Sequence, residues 1–170
     1  MIGFLQRVSE ARVVVDGETI AAIGRGLMVL VGVERGDTPA QARRLAERLV
    51  AYRVFGDAED KMNLDVRSIG GELLLVPQFT LAAETGRGNR PSFTGAADPA
   101  LGRQLFDRLV EEVRTLGPRV ATGRFGANMT VALSNQGPVS FWLRVPPPET
   151  ARAAQQQATI AAQSRDGTGR

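Results

Sequence analysis

Asn135-Gln136-Gly137-Pro138-Val139-Ser140 lies between two runs, residues 129–134 and 139–145. In both, β-branched or aromatic residues alternate with others, the pattern of a pleated, half-buried surface. The alternation predicts two strands, and Asn-Gln-Gly between them predicts a hairpin turn. The Gly-Pro pair adds something a turn does not require. Gly137 permits another molecule to approach the backbone closely, and Pro138 takes a cis peptide at a cost of only about 0.5–1 kcal/mol. Taken alone the stretch has two readings, a plain hairpin and a recognition element, and local chemistry favours the hairpin.

The strands that would pair with this stretch start at the beginning of the chain. Residues 2–8 and 11–15 read as strands, and Asp16-Gly17 is a hairpin signal with a return strand over 19–23. Residues 27–33 form a continuous apolar run, suited to a strand covered on both faces. Thr38-Pro39 with Gln41 predicts a capped helix start, followed by Ala42, Leu45, Ala46, Leu49 and Val50 at helical spacing. Asp98-Pro99 opens a second helix with an apolar stripe from Leu101 to Leu116, and Gly117-Pro118 ends it. Residues 119–122 predict a short strand. The acidic group Asp57, Glu59 and Asp60 lacks the glycine and closing glutamate of a calcium loop, so a turn is expected.

Composition narrows the chemistry. A chain of 170 residues fits one domain. It contains no apolar run of about 18 residues that would span a membrane. Residues 1–12 show strand alternation and early charges rather than a signal peptide's apolar core. Cysteine and histidine are both absent. Thiol nucleophiles, Ser-His-Asp triads, imidazole bases and the usual zinc sites are therefore excluded. Hydroxyls, carboxylates, amides, backbone groups or the substrate itself must do any catalysis. The formal charge is +3, and Lys61 is the sole lysine among otherwise arginine cations. That tolerates an anionic partner, and genome composition explains the same skew.

Residues 72–76 read as a buried strand running into Pro77-Gln78-Phe79-Thr80. Proline cannot donate to a ladder, so Pro77 marks a strand end or edge, and Gln78 and Thr80 emerge where the strand stops. Thr80 is either a nucleophile or a threonine bonded to backbone; with no base available the second is favoured. The loop Glu84-Thr85-Gly86-Arg87-Gly88-Asn89-Arg90-Pro91 combines glycine amides with guanidinium groups, a phosphate-holding chemistry. A plain surface loop has about equal standing. After residue 145 comes a Pro-led tail, 146–170, rich in Ala and Gln. It is expected to be helical by propensity over 149–163 at most and otherwise loose.

Together these segments resemble the D-aminoacyl-tRNA deacylase family, bacterial D-tyrosyl type. The carriers are Pro77-Gln78-Phe79-Thr80 and Asn135-Gln136-Gly137-Pro138-Val139-Ser140, with Gln6-Arg7-Val8-Ser9, residues 57–64, Arg90-Pro91-Ser92-Phe93 and Thr122-Gly123-Arg124-Phe125. The likeness runs over residues 1–145 in order. It implies an α+β domain of bent antiparallel or mixed β-sheets, barrel-like and β-β-α layered, with two amphipathic helices. It further implies a cytoplasmic homodimer acting on the aminoacylated 3′ end of tRNA, without cofactor, metal, membrane or DNA. By the same resemblance Gln78, Phe79 and Thr80 are catalytic, the Phe79 and Thr80 amides stabilising an oxyanion. Gly137 and Pro138, as a cis pair reaching the partner's pocket, select chirality. Phe125, Met129 and Asn135 bind substrate and its adenosine, and the ribose 2′-hydroxyl assists hydrolysis. Arg87 and Arg90 are the phosphate candidates. Three positions depart from the family pattern: Pro77 for serine, Ser140 for threonine and Asn128 for aspartate. The loss at Pro77 keeps an alternative open, an RNA 3′-end binding module of the same fold.

Overall fold

The computed structural model describes residues 1–86 and 88–147. Its spine is β1 (Ile2–Val15), one strand of 14 residues where the sequence predicts two. The two predicted segments join because one neighbour pairs with both. β8 (Thr130–Arg144) runs antiparallel to β1 along its whole length. On the opposite edge, β3 (Gly26–Gly32) takes the first half of β1 and β2 (Glu18–Ile23) takes the second. Ser9 and Glu10 are exposed in succession. At this point the register with β8 shifts, and the alternation of faces changes phase, as a bulge requires.

β6 (Glu72–Pro77) adds to β3 in parallel, and β7 (Arg119–Thr122) adds to β6 in parallel. The sheet is therefore mixed, in the order β2-β1-β3-β6-β7 with β8 on β1. It curls until β2 meets β6 and β7. Val8, Ala11, Val13, Val15, Ile23, Met28, Leu74 and Val76 fill the inside of that curl. A small hairpin, β4 (Phe55–Gly56) and β5 (Met62–Leu64), stands apart. Its turn is the acidic cluster: Asp57 accepts from the Glu59 and Lys61 amides at 3.0 and 2.9 Å and from Asn63 Nδ2 at 2.6 Å.

α1 (Pro39–Val50) and α2 (Pro99–Thr115) pack on each other and on the outer face of the sheet. The Thr38 hydroxyl accepts from the Ala40 amide, and Gln41 Oε1 accepts from the Thr38 amide at 3.0 Å, the reciprocal box read from the sequence. Asp98 caps α2 through the Ala100 and Leu101 amides at 3.1 and 3.0 Å. Leu45 and Leu49 of α1 meet Leu5, Leu27, Val29, Leu73 and Leu75 of the sheet and Leu105, Leu109 and Val113 of α2. Each such leucine contributes about 1.5–3 kcal/mol, and Leu45→Ala would cost about 2–5 kcal/mol.

The ends of β1 and β8 are tied by charge. The Met1 ammonium is buried and donates to Asp37 Oδ1 and the Val145 carbonyl, each at 2.7 Å, and to Glu34 Oε2 at 3.3 Å. Arg144 Nε donates to Glu34 Oε2 at 3.1 Å. Burial raises the Glu34 carboxyl, but the Arg144 hydrogen bond and the ammonium outweigh it and hold the group below its ordinary range. Asp37 goes the other way, because burial dominates and pushes it up.

The predicted hairpin at residues 135–138 is not formed. β8 keeps one direction against one partner, so the chain never reverses there. Val8 pairs with Asn135 and Gln6 with Ser140. Residues 136–139 therefore stand opposite Arg7 alone. The Gly-Pro stretch is a wide bulge in a continuous strand. The tail expected from residue 146 lies outside the described residues from 148 onward; Pro147 is still buried.

Candidate active site

β6 ends at Pro77, as the missing N–H of proline dictates. The Gln78 amide then bonds the Val31 carbonyl at 2.7 Å, and Phe79–Ala82 winds into a single 3-10 turn. Leu81 N donates to Gln78 O and Ala83 N to Thr80 O, at 3.3 and 3.1 Å. The first amides of such a turn have no partner within it. Among the described residues those of Phe79 and Thr80 have no acceptor. Two adjacent N–H donors are thereby left free at a strand end. The Thr80 hydroxyl accepts from Gln78 Nε2 at 2.5 Å. The side-chain amide, rather than the expected backbone, holds this threonine, and among the described residues no base contacts it.

Met129 and Pro77 meet over Gly123. A Cβ on Gly123 would stand 2.9 Å from Met129 Sδ and 3.3 Å from Pro77 Cδ, so any side chain there would push Met129 aside. Gly123 N bonds the Leu75 carbonyl at 2.8 Å, and Arg124 N approaches Met129 Sδ at 3.3 Å. Met129 is thus brought to the end of β6. Phe125 sits on the same loop but packs against α2, at Gly102 and Arg103.

The bulge is built by its own side chains. Asn135 Oδ1 accepts from Val139 N at 2.9 Å, and Asn135 Nδ2 donates to Ser140 Oγ at 3.1 Å. The Asn135 amide is therefore engaged in holding the bulge. Gly137 and Pro138 are exposed, joined by a cis peptide, and Gly137 has φ +128°. Arg7 braces the bulge from below. Its Nε donates to the Gln136 carbonyl at 3.0 Å and its Nη1 to the Val54 carbonyl at 2.6 Å. The sequence assigns Arg7 no role; its only visible sign there is a charged residue inside a predicted strand, and the structure shows it half-buried with its polar partners.

The two motifs do not meet within the chain. Arg7, opposite the bulge, pairs with Leu27 at one end of β3, whereas the Gln78 amide bonds Val31 at the other. The separation is about 13 Å along the strands and about 14 Å across them. Arg90 is exposed in a loop whose neck is closed by Glu84 N to Ser92 O at 2.7 Å and Ser92 N to Glu84 O at 3.0 Å. Arg87 lies outside the described residues. Phe93 at the loop's end meets Phe79 with ring centroids 5.2 Å apart, and both rings are exposed. No helix of the described residues is long and apolar enough to cross a membrane.

The fold and site define a class: an α+β domain with a mixed sheet curled toward a barrel, a free amide pair at one strand end and a Gly-Pro bulge on another strand. The family described as D-Tyr-tRNA(Tyr) deacylase matches residues 4–144, and the chain belongs to it. It is 62% identical over 148 residues to a D-aminoacyl-tRNA deacylase of Thioalkalivibrio sulfidiphilus, covering 87% of this chain and 99% of that one. A protein of the same name from Nitrosococcus oceani is 58% identical over 147 residues, covering 86% and 95%. Among solved structures, one titled c-Myc DNA Unwinding Element Binding Protein superposes with a TM-score of 0.82. It shares 36% identity over 86% of this chain and 99% of that one. A probable eukaryotic D-amino acid tRNA deacylase superposes at 0.75 with 18% identity, covering 85% and 98%, a likeness of fold alone.

Proposed function

We propose that the protein hydrolyses the ester joining a D-amino acid, or glycine, to the 3′ end of tRNA, releasing free amino acid and tRNA. The observation that carries this reading is the pair of unpartnered amides at Phe79 and Thr80. Ester hydrolysis places negative charge on the carbonyl oxygen as water adds. Two fixed N–H donors aimed at that oxygen supply the stabilisation such reactions chiefly need. The chain has no histidine, and the Thr80 hydroxyl is already bonded to Gln78. By the family likeness, the proton moves through water and the ribose 2′-hydroxyl of the substrate.

Chirality is selected by the backbone of Gly137 and Pro138 from a second copy of the chain. Two observations support this. The bulge and the amide pair are too far apart to share a substrate within one protomer. The surface also presents exposed aromatics: Trp142 of β8, 52% exposed and beside Phe4, and Phe79 of the 3-10 turn, 60% exposed. Backbone carbonyls around the α-carbon reject an L-side chain whatever its size. An apolar pocket would separate side chains by only about 1–3 kcal/mol per methylene.

One observation favours a second reading, an RNA 3′-end binding module: Pro77 brings neither hydroxyl nor N–H to the strand end. Release of amino acid from matched D-alanyl, L-alanyl and glycyl tRNAs decides between the two. Turnover of the first and last with L-alanine retained is expected. Binding of all three without release would leave the module reading standing.

A further inference from the structure

We propose that Arg103 is a positioning residue for the RNA end: it holds the Phe125 ring as the platform for the terminal adenosine and offers its remaining donors to the adjoining phosphate. This rests on the reading of Phe125 as part of the adenosine site. The loop bearing Phe125 is bonded to the sheet by Gly123 N to Leu75 O, closes on itself where Arg124 N contacts Met129 Sδ, and packs Ala127 against the inside of the curl. Within it Gly126 has φ +78°, and Ala127 N bonds back to Arg124 O at 3.3 Å, a local link. The ring itself is gripped from α2. A Cβ on Gly102 would stand 3.3 Å from Phe125 Cζ, so the ring lies against bare helix backbone. The Arg103 guanidinium carbon lies 5.2 Å from the ring centroid, and Arg103 Nη2 donates to the Phe125 carbonyl at 3.4 Å. Ring and carbonyl are thus held by one side chain.

Charge supports the second half of the assignment. On the same helix pair Arg43 and Arg108 share the carboxylate of Glu112. Arg103 is exposed, and among the described residues no carboxylate pairs with it. A planar guanidinium stacked on an aromatic ring, with donors left over, suits a base and a phosphate together.

The test is steady-state kinetics of D-aminoacyl-tRNA hydrolysis at several salt concentrations for Arg103→Ala, Arg103→Lys and Phe125→Ala, each checked for its melting temperature. Arg103→Ala is expected to raise KM roughly tenfold, the scale of one base stack, with kcat close to that of the parent. The salt slope of binding should fall by about 0.7. Arg103→Lys should recover the salt slope and leave KM raised, because the ammonium lacks the planar face. Phe125→Ala should raise KM and leave the slope intact. An unchanged KM in Arg103→Ala beside a raised one in Phe125→Ala overturns the role of Arg103 and spares the adenosine site. An unchanged KM in Phe125→Ala overturns the adenosine reading itself. A lowered kcat with constant KM in Arg103→Ala reduces it to a structural residue. Should Arg103→Ala not fold, Arg103→Lys decides, and a parental KM there overturns the proposal.

Discussion

Arg7 Nε donates to the Gln136 carbonyl at 3.0 Å, and Arg7 Nη2 occupies the space beside Gly137, 2.7 Å from where a Cβ would stand. One side chain of the central strand therefore sets the path of the bulge on its neighbour. Arg7→Ala should leave the Gln136 and Val54 carbonyls short of a donor and cost about 1–3 kcal/mol, read as a lowered melting temperature. Its effect on function should be larger for discrimination than for rate, with L-alanyl-tRNA becoming a substrate. Arg7→Lys should rescue poorly, since a single ammonium cannot reach both carbonyls in the fork geometry. Full rescue by lysine would show that charge alone matters.

Thr80→Ala should retain most turnover. The substitution removes one acceptor for Gln78 Nε2 and leaves the Phe79 and Thr80 amides in place. A loss of about tenfold or less in kcat, one hydrogen bond's worth, is expected in single-turnover assays. Abolished turnover in a folded variant would mean that the hydroxyl attacks the ester.

Arg90→Ala should weaken tRNA binding and flatten its salt dependence. The side chain is exposed in a loop whose neck is closed by paired bonds between Glu84 and Ser92. Each phosphate contact removed reduces the slope of log K against log salt by about 0.7–0.9. Titrations at two salt concentrations, with the same slope in parent and variant, would return this arginine to the solvent.

Glu34→Gln should destabilise the fold at neutral pH and lose that effect in acid. The Glu34 carboxyl is held below its ordinary range, so its contribution is fully present above the unfolded value of about 4.3 and fades as pH falls through the lower folded value. Asp37, pushed up chiefly by burial, has the opposite sign; the Glu34 charge adds to that push, so the substitution relieves part of it. Thermal melts should show a gap of about 1.5–3 kcal/mol at pH 7 that narrows below about pH 4. A gap independent of pH would assign the loss to packing.

Local chemistry in the chain was enough for the elements that depend on neighbours in sequence. Thr38, Pro39 and Gln41 cap α1 as read, Asp98-Pro99 starts α2, and Pro77 ends β6, because each effect acts within a turn of chain. The turn at Asp57 followed from its composition for the same reason. The family likeness named Gln78, Phe79, Thr80, Gly137 and Pro138. It did not show that the Phe79 and Thr80 amides stand free or that the Asn135 amide is engaged within the bulge. Gly102, a glycine inside a helical pattern, was a visible sign of close packing, but only the fold shows that Phe125 fills the space.

Tertiary structure alone decided the continuity of β1 and the nature of the Gly-Pro stretch. Asn-Gln-Gly-Pro has the same local preferences in a hairpin turn and in a bulge. What separates them is whether the residues on either side pair with each other or with a third strand. Here both sides pair with β1, near the opposite end of the chain. A backbone hydrogen bond to so distant a partner leaves no mark in the composition of the residues that make it. The bulge, the brace at Arg7 and the distance between the two motifs therefore became legible only once the register was known.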